Sequence, residues 1–289
     1  MSKLSLEDHV VVLTGGTSGI GRRAARVFAR TGGTVAVVGR NRASGEAIAD
    51  ELTAETAGVV RFHRTDLADQ TAVRALADEI LETYDRLDVL AHNAGLSSRH
   101  RRVTADGIER TLAVNHLAPY LLTHELIDRL RVSAPSRIVV TTSGIHRRAS
   151  LDVSDLQFEE EDYDALEAYA RSKLANVAFT IELATRLEDV TVNCFHPGFV
   201  PSTGLFRDAA PWTRAAMRIM AAVPGLGTTP EEGARQLVRL ATAPKFGEHS
   251  GLYVGSSGVE DPDPAALDPE LRERLWTASA DLVGVDPDW

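Results

Sequence analysis

Residues 14–21 read TGGTSGIG, and that stretch decides how the rest of the chain is read. It follows HVVVLT (9–14), a short β-branched run. It opens GIGRRAARVFARTGG (19–33), where Ile20, Ala24, Val27 and Phe28 recur at helical spacing before two closing glycines. Gly15, Gly19 and Gly21 therefore lie between a strand and a helix. A diphosphate approaching a helix N-terminus needs bare backbone there, because side chains block it and free N–H groups favour an anion. A glycine-rich stretch can also be a plain turn. The strand–turn–helix setting makes Gly15, Thr17, Ser18, Gly19 and Ile20 candidate contacts of a dinucleotide.

Outward from the turn, strand and helix keep alternating. TVAVVG (34–39) reads as a strand, 44–55 as a helix and VVRFHR (59–64) as a third strand. Helix 70–84, strand LDVLAHN (87–93), helix 104–131 and strand RIVVTTS (137–143) follow. A loop-rich acidic stretch (150–163) precedes helix 165–187 and strand VTVNCFHPG (190–198). Then come an apolar segment (199–227), helix 230–242, the short strand GLYVG (251–255) and a polar C-terminal helix near 268–282. The strands are almost wholly apolar, as in a parallel sheet covered on both faces. The expected fold is α/β: a Rossmann-type doubly wound parallel sheet of about seven strands, with helices on both faces, in a single domain over 1–289.

The totals narrow the function. Net charge is −10 and the isoelectric point about 5.4, which argues against a nucleic-acid surface. Apolar residues make up 44% of the 289, enough for a substantial core. A lone Cys194 excludes an internal disulfide and a cysteine-based zinc site. No carboxylate–histidine cluster has ligand spacing, so no metal is expected. No run of 18 apolar residues occurs and the N-terminus does not read as a signal peptide, so a soluble, cytoplasmic protein without a membrane anchor is expected.

Two further stretches bear on chemistry. The second strand ends Gly39-Arg40-Asn41-Arg42, with no carboxylate to accept an adenosine 2′-hydroxyl. Arg40 can instead pair with a 2′-phosphate, which favours NADP as cofactor and leaves NAD second. Residues 169–173 read YARSK, and Lys173 is one of three lysines, with Lys3 and Lys245, among 31 basic residues. Tyr169 and Lys173, four apart on a helix, share a face. A free phenol has a pKa near 10, and a nearby ammonium lowers it.

Taken together, these pieces resemble the short-chain dehydrogenase/reductase family over nearly the whole chain. The matching residues are the Thr14–Gly21 turn, Asp66-Leu67, Asn93-Ala94-Gly95, Asn115, Ser143, Tyr169-x-x-x-Lys173 and Pro197-Gly198. VNHLAPYLLT (114–123), residues 155–187 and HPG (196–198) are similar to its retinol-dehydrogenase-like branch. Members of that branch oxidise or reduce hydroxyl and carbonyl groups of lipophilic molecules, and their vertebrate representatives carry an N-terminal membrane anchor that is not expected here. The resemblance implies hydride transfer with Tyr169 as general acid/base, Lys173 lowering its pKa and bonding the nicotinamide ribose, Ser143 hydrogen-bonding the substrate oxygen, and Asn115 holding a relay water. It also implies that Asp66 and Leu67 meet the adenine and that Asn93, Ala94 and Gly95 line the adenosine side. Pro197, Gly198 and Val200 then shape the nicotinamide site, with Ser202 or Thr203 at the diphosphate.

His92 departs from the family, which often has Asn there. His146 reads as a satisfied loop histidine before it reads as a substrate contact, and His196 is as readily structural. On this reading residues 9–145 carry the cofactor and 146–289 carry catalysis and substrate, with an apolar lid over 199–227 suited to a lipophilic carbonyl or alcohol. Two rivals use the same fold: a nucleotide-binding regulatory protein that has lost catalysis, and an epimerase or dehydratase. Helices 104–131 and 165–187 are apolar enough for a homodimer, although burial under the chain's own sheet explains the same pattern.

Overall fold

Val10 and Val12 turn to one side of the first strand, Val11 and Leu13 to the other, and both sides are covered. That alternation organises the molecule, because a two-residue period sends consecutive residues to opposite faces of a sheet. A computed structural model of the chain describes residues 5–200 and 227–289. The first strand, β1 (Val10–Thr14), leads through α1 (Gly19–Arg30) to β2 (Thr34–Gly39), α2 (Arg42–Glu55), β3 (Val59–Arg64) and α3 (Gln70–Thr83). β4 (Val89–His92) follows, then α4 (Arg110–Leu112), a π-turn (Ala113–Leu117), α5 (Ala118–Val132) and β5 (Ser136–Thr141). The chain continues through α6 (Ala165–Arg186), β6 (Val190–Phe195), α7 (Pro230–Thr242), β7 (Tyr253–Val254) and α8 (Pro269–Val283).

The seven strands form one sheet, ordered β3-β2-β1-β4-β5-β6-β7, and every pair is parallel. Pairing of β1 with β2 on one side and with β4 on the other makes the junction of β1 and β4 the place where the order reverses, and a ligand crevice forms at such a point beyond the carboxyl ends of the strands. Val11, Leu13, Val35 and Val37 pack against α1, α2 and α7, while Val12, Ala36, Leu90 and Val140 pack against α3, α5 and α6. The expected doubly wound fold is observed, and the single sheet with two covering layers makes one domain.

The helix expected over 104–131 begins later. Thr104 to Ile108 make a tight turn, with Thr104 N donating to Ile108 O at 2.8 Å. The Glu109 carboxylate caps the next segment, accepting from Thr111 N and Leu112 N. The segment then widens into the π-turn before α5. Periodicity cannot register this, because a one-residue widening leaves the apolar stripe almost unchanged.

The C-terminal helix is less polar than its sequence suggests. Leu275, Trp276, Ser279, Ala280 and Val283 of α8 are buried. Trp276 stacks at 6.0 Å on Phe179 of α6 and meets Tyr120 of α5 edge-on at 5.0 Å. The Arg186 guanidinium lies 4.3 Å above the same indole. Trp289 Nε1 donates to the Tyr120 hydroxyl at 3.1 Å, tying the chain end to α5. Residues 170–180 of α6 are buried without a break against the chain's own sheet and α8. Trp276→Ala is expected to cost about 3–5 kcal/mol in urea-induced unfolding, the usual range for truncating a buried aromatic.

Candidate active site

The glycine turn is folded tightly on the end of β4. A Cβ on Gly21 would stand 2.3 Å from the Gly15 carbonyl oxygen, and one on Gly15 would stand 2.8 Å from Ala94 Cα. Gly15 also has φ +67°, a conformation favouring glycine. The Thr14 hydroxyl accepts from Asn93 N (3.0 Å) and Ala94 N (3.1 Å), and Asn93 Nδ2 donates to Thr14 O at 3.2 Å. Asn93 and Ala94 thus act first as braces that hold the turn against β4. The N-cap of α1, Ser18, makes no side-chain cap hydrogen bond, and its first turn carries no acid. α2, α3, α6, α7 and α8 are each capped by a side chain, so the first N–H groups of α1 are the ones left to an anion. Thr17 sits beside Gly39, where an added Cβ would come 2.8 Å from its Cγ2.

Beyond Gly39 the carboxyl ends of β2 and β3 place two arginines side by side. Gly39 is in register with Arg64, whose Nε donates to the Arg40 carbonyl at 3.4 Å. Both side chains are exposed, and neither is in an ion pair among the described residues. Arg42, by contrast, pairs with Glu46 at 3.2 Å on α2. Asp66 is exposed, with one carboxylate oxygen accepting from Ala68 N at 3.1 Å, and Leu67 is buried against α3.

Asn115 occupies the π-turn and is fully buried. Its side chain clamps the loop after β4: Oδ1 accepts from Leu96 N at 2.8 Å and Nδ2 donates to Leu96 O at 2.9 Å. Nδ2 also reaches Ser172 Oγ on α6, at 2.9 Å. An added Cβ on Gly95 would be 3.5 Å from both Asn115 Oδ1 and Lys173 Nζ, so the bare Gly95 backbone sits directly over the pair. His92 is buried, its Nε2 lies 2.8 Å from Thr123 Oγ1 of α5, and burial pulls its pKa down to about 3, so it stays neutral.

Ser143, Tyr169 and Lys173 come together at the carboxyl end of β5. Ser143 starts a short 3₁₀ turn (Gly144–Arg148), and its hydroxyl is near enough to the Tyr169 phenol to pull the phenol's pKa down. Lys173 is 3% exposed; its Nζ donates to Thr141 O at 2.9 Å and lies 5.7 Å from the centre of the Tyr169 ring. Burial dominates both titrations. It pushes Tyr169 up to about 12 against the pull of the Ser143 hydroxyl, and it brings Lys173 down to about 8. In the protein alone, burial therefore sets the phenol's pKa and raises it, where a lowering was expected.

The turn after β6 completes the crevice. Gly198 has φ +79°, and an added Cβ would meet Thr228 Oγ1 at 2.3 Å. Thr228 N donates to Phe199 O at 2.7 Å, and Val200 is buried. Pro197 packs near Gly233 of α7, which also meets Ile20 of α1. Ser202, Thr203 and residues 201–226 of the lid expected over 199–227 lie outside the described residues. His146 is a satisfied loop histidine: it lies 2.8 Å from Ser143 O through Nδ1, and its Nε2 accepts from Asp263 N at 3.1 Å. His196 accepts from Gly198 N at 3.2 Å and stacks on Tyr253, so it braces the turn. Among the described residues, no three His, Cys, Asp or Glu side chains gather to hold a metal, and no helix is long and apolar enough to cross a membrane. Ser172, Asn176 and the Thr141 carbonyl were not anticipated. Asn176 continues the face of Tyr169 and Lys173 at the next helical step, a spacing that could have drawn it in.

Residues 9–214 match the profile of a family described as short chain dehydrogenase. The chain is 42% identical over 287 residues to dehydrogenase/reductase SDR family member 13 of Bos taurus, covering 98% of the chain and 75% of that protein. It is 37% identical over 290 residues to human retinol dehydrogenase 13, covering 99% and 87%. A solved structure of an uncharacterized protein from Mycobacterium paratuberculosis superposes with a TM-score of 0.80 at 30% identity, covering 99% of this chain and 97% of the other. Another, described as an NAD(P)-dependent gluconate 5-dehydrogenase from Beutenbergia cavernae with NADP bound at low occupancy, gives 0.68 at 29% identity, covering 91% and 98%. Because the contact at Gly21 is with backbone that cannot yield, Gly21→Ala is expected to lower stability by about 1–3 kcal/mol in thermal or urea unfolding.

Proposed function

Because the chain belongs to the short-chain dehydrogenase/reductase family and to its retinol-dehydrogenase-like branch, we propose that it works as an NADPH-dependent carbonyl reductase on a lipophilic aldehyde or ketone. The observation that carries this reading is the convergence of Ser143, Tyr169 and Lys173 at the crevice end of the sheet, with the serine hydroxyl near the phenol and the buried ammonium over its ring. The bound nicotinamide supplies the hydride. The turn at Gly15, Thr17, Ser18, Gly19 and Ile20 would hold its diphosphate, Asp66 and Leu67 would flank the adenine, Asn93, Ala94 and Gly95 would line the adenosine side, and Pro197, Gly198 and Val200 would shape the nicotinamide side.

The chain's own groups handle the proton. A phenol held near pKa 12 is protonated at neutral pH, as a proton donor to a substrate oxygen must be. The Ser143 hydroxyl is placed to hydrogen-bond the same oxygen as negative charge develops on it. Once the proton has moved, the Lys173 ammonium offsets the phenolate left behind. The relatives' names, retinol dehydrogenase among them, support a lipophilic substrate. A regulatory protein without catalysis would not need a buried lysine beside a half-buried phenol at one crevice.

Three measurements test this reading. NADPH oxidation with lipophilic aldehydes should fall at least about a hundredfold in Tyr169→Phe, in line with loss of a general acid; unchanged turnover would revive the regulatory reading. Lys173 is charged below its pKa of about 8, so kcat for reduction should decline as pH rises through about 8, while Tyr169 stays protonated across that range. A profile flat to pH 10 would contradict the role given to the ammonium. The bare, exposed Arg40 and its neighbour Arg64 favour a 2′-phosphate. In fluorescence titration Arg40→Ala should weaken NADPH about 10- to 100-fold, as for a lost charge-assisted bond, and leave NADH unchanged.

A further inference from the structure

We propose that Ser279, His116 and Asn176 form a positioning chain that locks α6 against the Asn115 turn, so that the C-terminal helix is part of the apparatus placing Tyr169 and Lys173. The proposal rests on the hydride-transfer reading above. It starts from a carbonyl. Pro119 has no N–H, so it cannot give Asn115 O the usual helical bond from four residues on. Asn176 Nδ2 donates to that oxygen instead, at 2.8 Å. One helical turn earlier, Ser172 Oγ receives Asn115 Nδ2 at 2.9 Å and itself donates to Tyr169 O at 2.7 Å. Ser172 and Asn176 flank Lys173. Two side-chain amide hydrogen bonds one turn apart therefore set how far along, and at what rotation, α6 presents its catalytic pair.

The orientation of Asn176 is then dictated from behind. Its Oδ1 lies 3.2 Å from His116 Nδ1, and His116 Nε2 lies 2.8 Å from Ser279 Oγ of α8. Turning the Asn176 amide over would set its oxygen against the Asn115 carbonyl, two acceptors facing each other. Oδ1 must therefore face the ring, and His116 must carry its proton on Nδ1. Nε2 is left as an acceptor, which the Ser279 hydroxyl fills. Ser279 Oγ also lies 2.7 Å from Leu275 O, but its one proton serves the ring when Nε2 is bare. All four residues are at most 1% exposed, so no solvent competes for these bonds. Burial and the nearby Lys173 ammonium pull His116 down to about 4, which keeps it neutral and preserves the direction of the chain at working pH.

The test combines a tautomer and a kinetic split. Nitrogen-15 NMR of histidine-labelled protein near pH 7 should find His116 protonated on Nδ1. Ser279→Ala should lower kcat about tenfold, as small misplacements of reacting groups do, with KM and NADPH affinity within about twofold of the parent. Ser279→Thr, which keeps the hydroxyl, should recover most of that loss, and thermal melts of both variants confirm that they are folded. An Nε2-protonated His116, an unchanged kcat in Ser279→Ala, or equal loss in the alanine and threonine variants would overturn the proposal. The tautomer is read without substrate. A protein inert toward every carbonyl tried therefore sinks the reductase reading alone, while the spectrum still decides the chain.

Discussion

An ammonium buried to 3% exposure is the constraint on which this site depends. Lys173 has one hydrogen bond, to the Thr141 carbonyl, and loses most of its hydration. Such a charge persists only where polar groups surround it closely, and its lowered pKa shows that the compensation is incomplete. The surroundings follow from that demand. Asn115, Ser172 and Asn176 are polar residues in the middle of a packed helical layer, where apolar side chains would pack as well and cost less. Each is satisfied by a partner on a neighbouring element. The π-turn belongs to the same demand, because it sets a helical asparagine where its side chain can hold the loop after β4.

The sheet is what carries those elements to one place. Because β1 and β4 are neighbours, the glycine turn, the Asn93 brace and the Gly95 backbone meet at a single edge. β5 and β6 extend that edge to Ser143 and Pro197. α7 packs on both Ile20 and Pro197 through Gly233, so the glycine turn and the turn after β6 share one support. Many of the residues grouped by resemblance as cofactor contacts are therefore also one another's packing partners. The Gly21 contact with the Gly15 carbonyl exists before any ligand arrives.

Much of this was legible in the sequence. Strand 59–64 and helix 230–242 were bounded to the residue, because apolar runs ended at clear turn residues or at the Thr229 cap with Pro230. The pair Tyr169 and Lys173 was readable from a four-residue spacing. What was not legible was anything set by burial rather than by pattern. The sequence suggested that the ammonium lowers the phenol's pKa, while the depth of the site reverses the net direction. The break at 104–109 had a local signal in Asp106-Gly107, where Gly107 has φ +80°, which the apolar spacing outweighed, while the widening at 113–117 left the helical periodicity intact and gave none. α8 looked polar because its buried face is narrow, and nothing local says that a tryptophan there will find Phe179 nearly a hundred residues earlier.

The scarcity of lysine takes its meaning from the same geometry. In a chain that otherwise uses arginine for nearly every positive charge, a guanidinium at 173 would bring five donors in a rigid fork to a place with one carbonyl. It would not lose its proton near neutral pH, and its width would crowd the Gly95 backbone, where even an added Cβ would stand 3.5 Å from both Nζ and Asn115 Oδ1. A compact ammonium fits between them and still offers two donors outward. The residue type at 173 is thus determined by three neighbours that lie 32 to 78 positions earlier in the chain: Gly95, Asn115 and Thr141. Their convergence is a property of the sheet order rather than of the YARSK spacing itself.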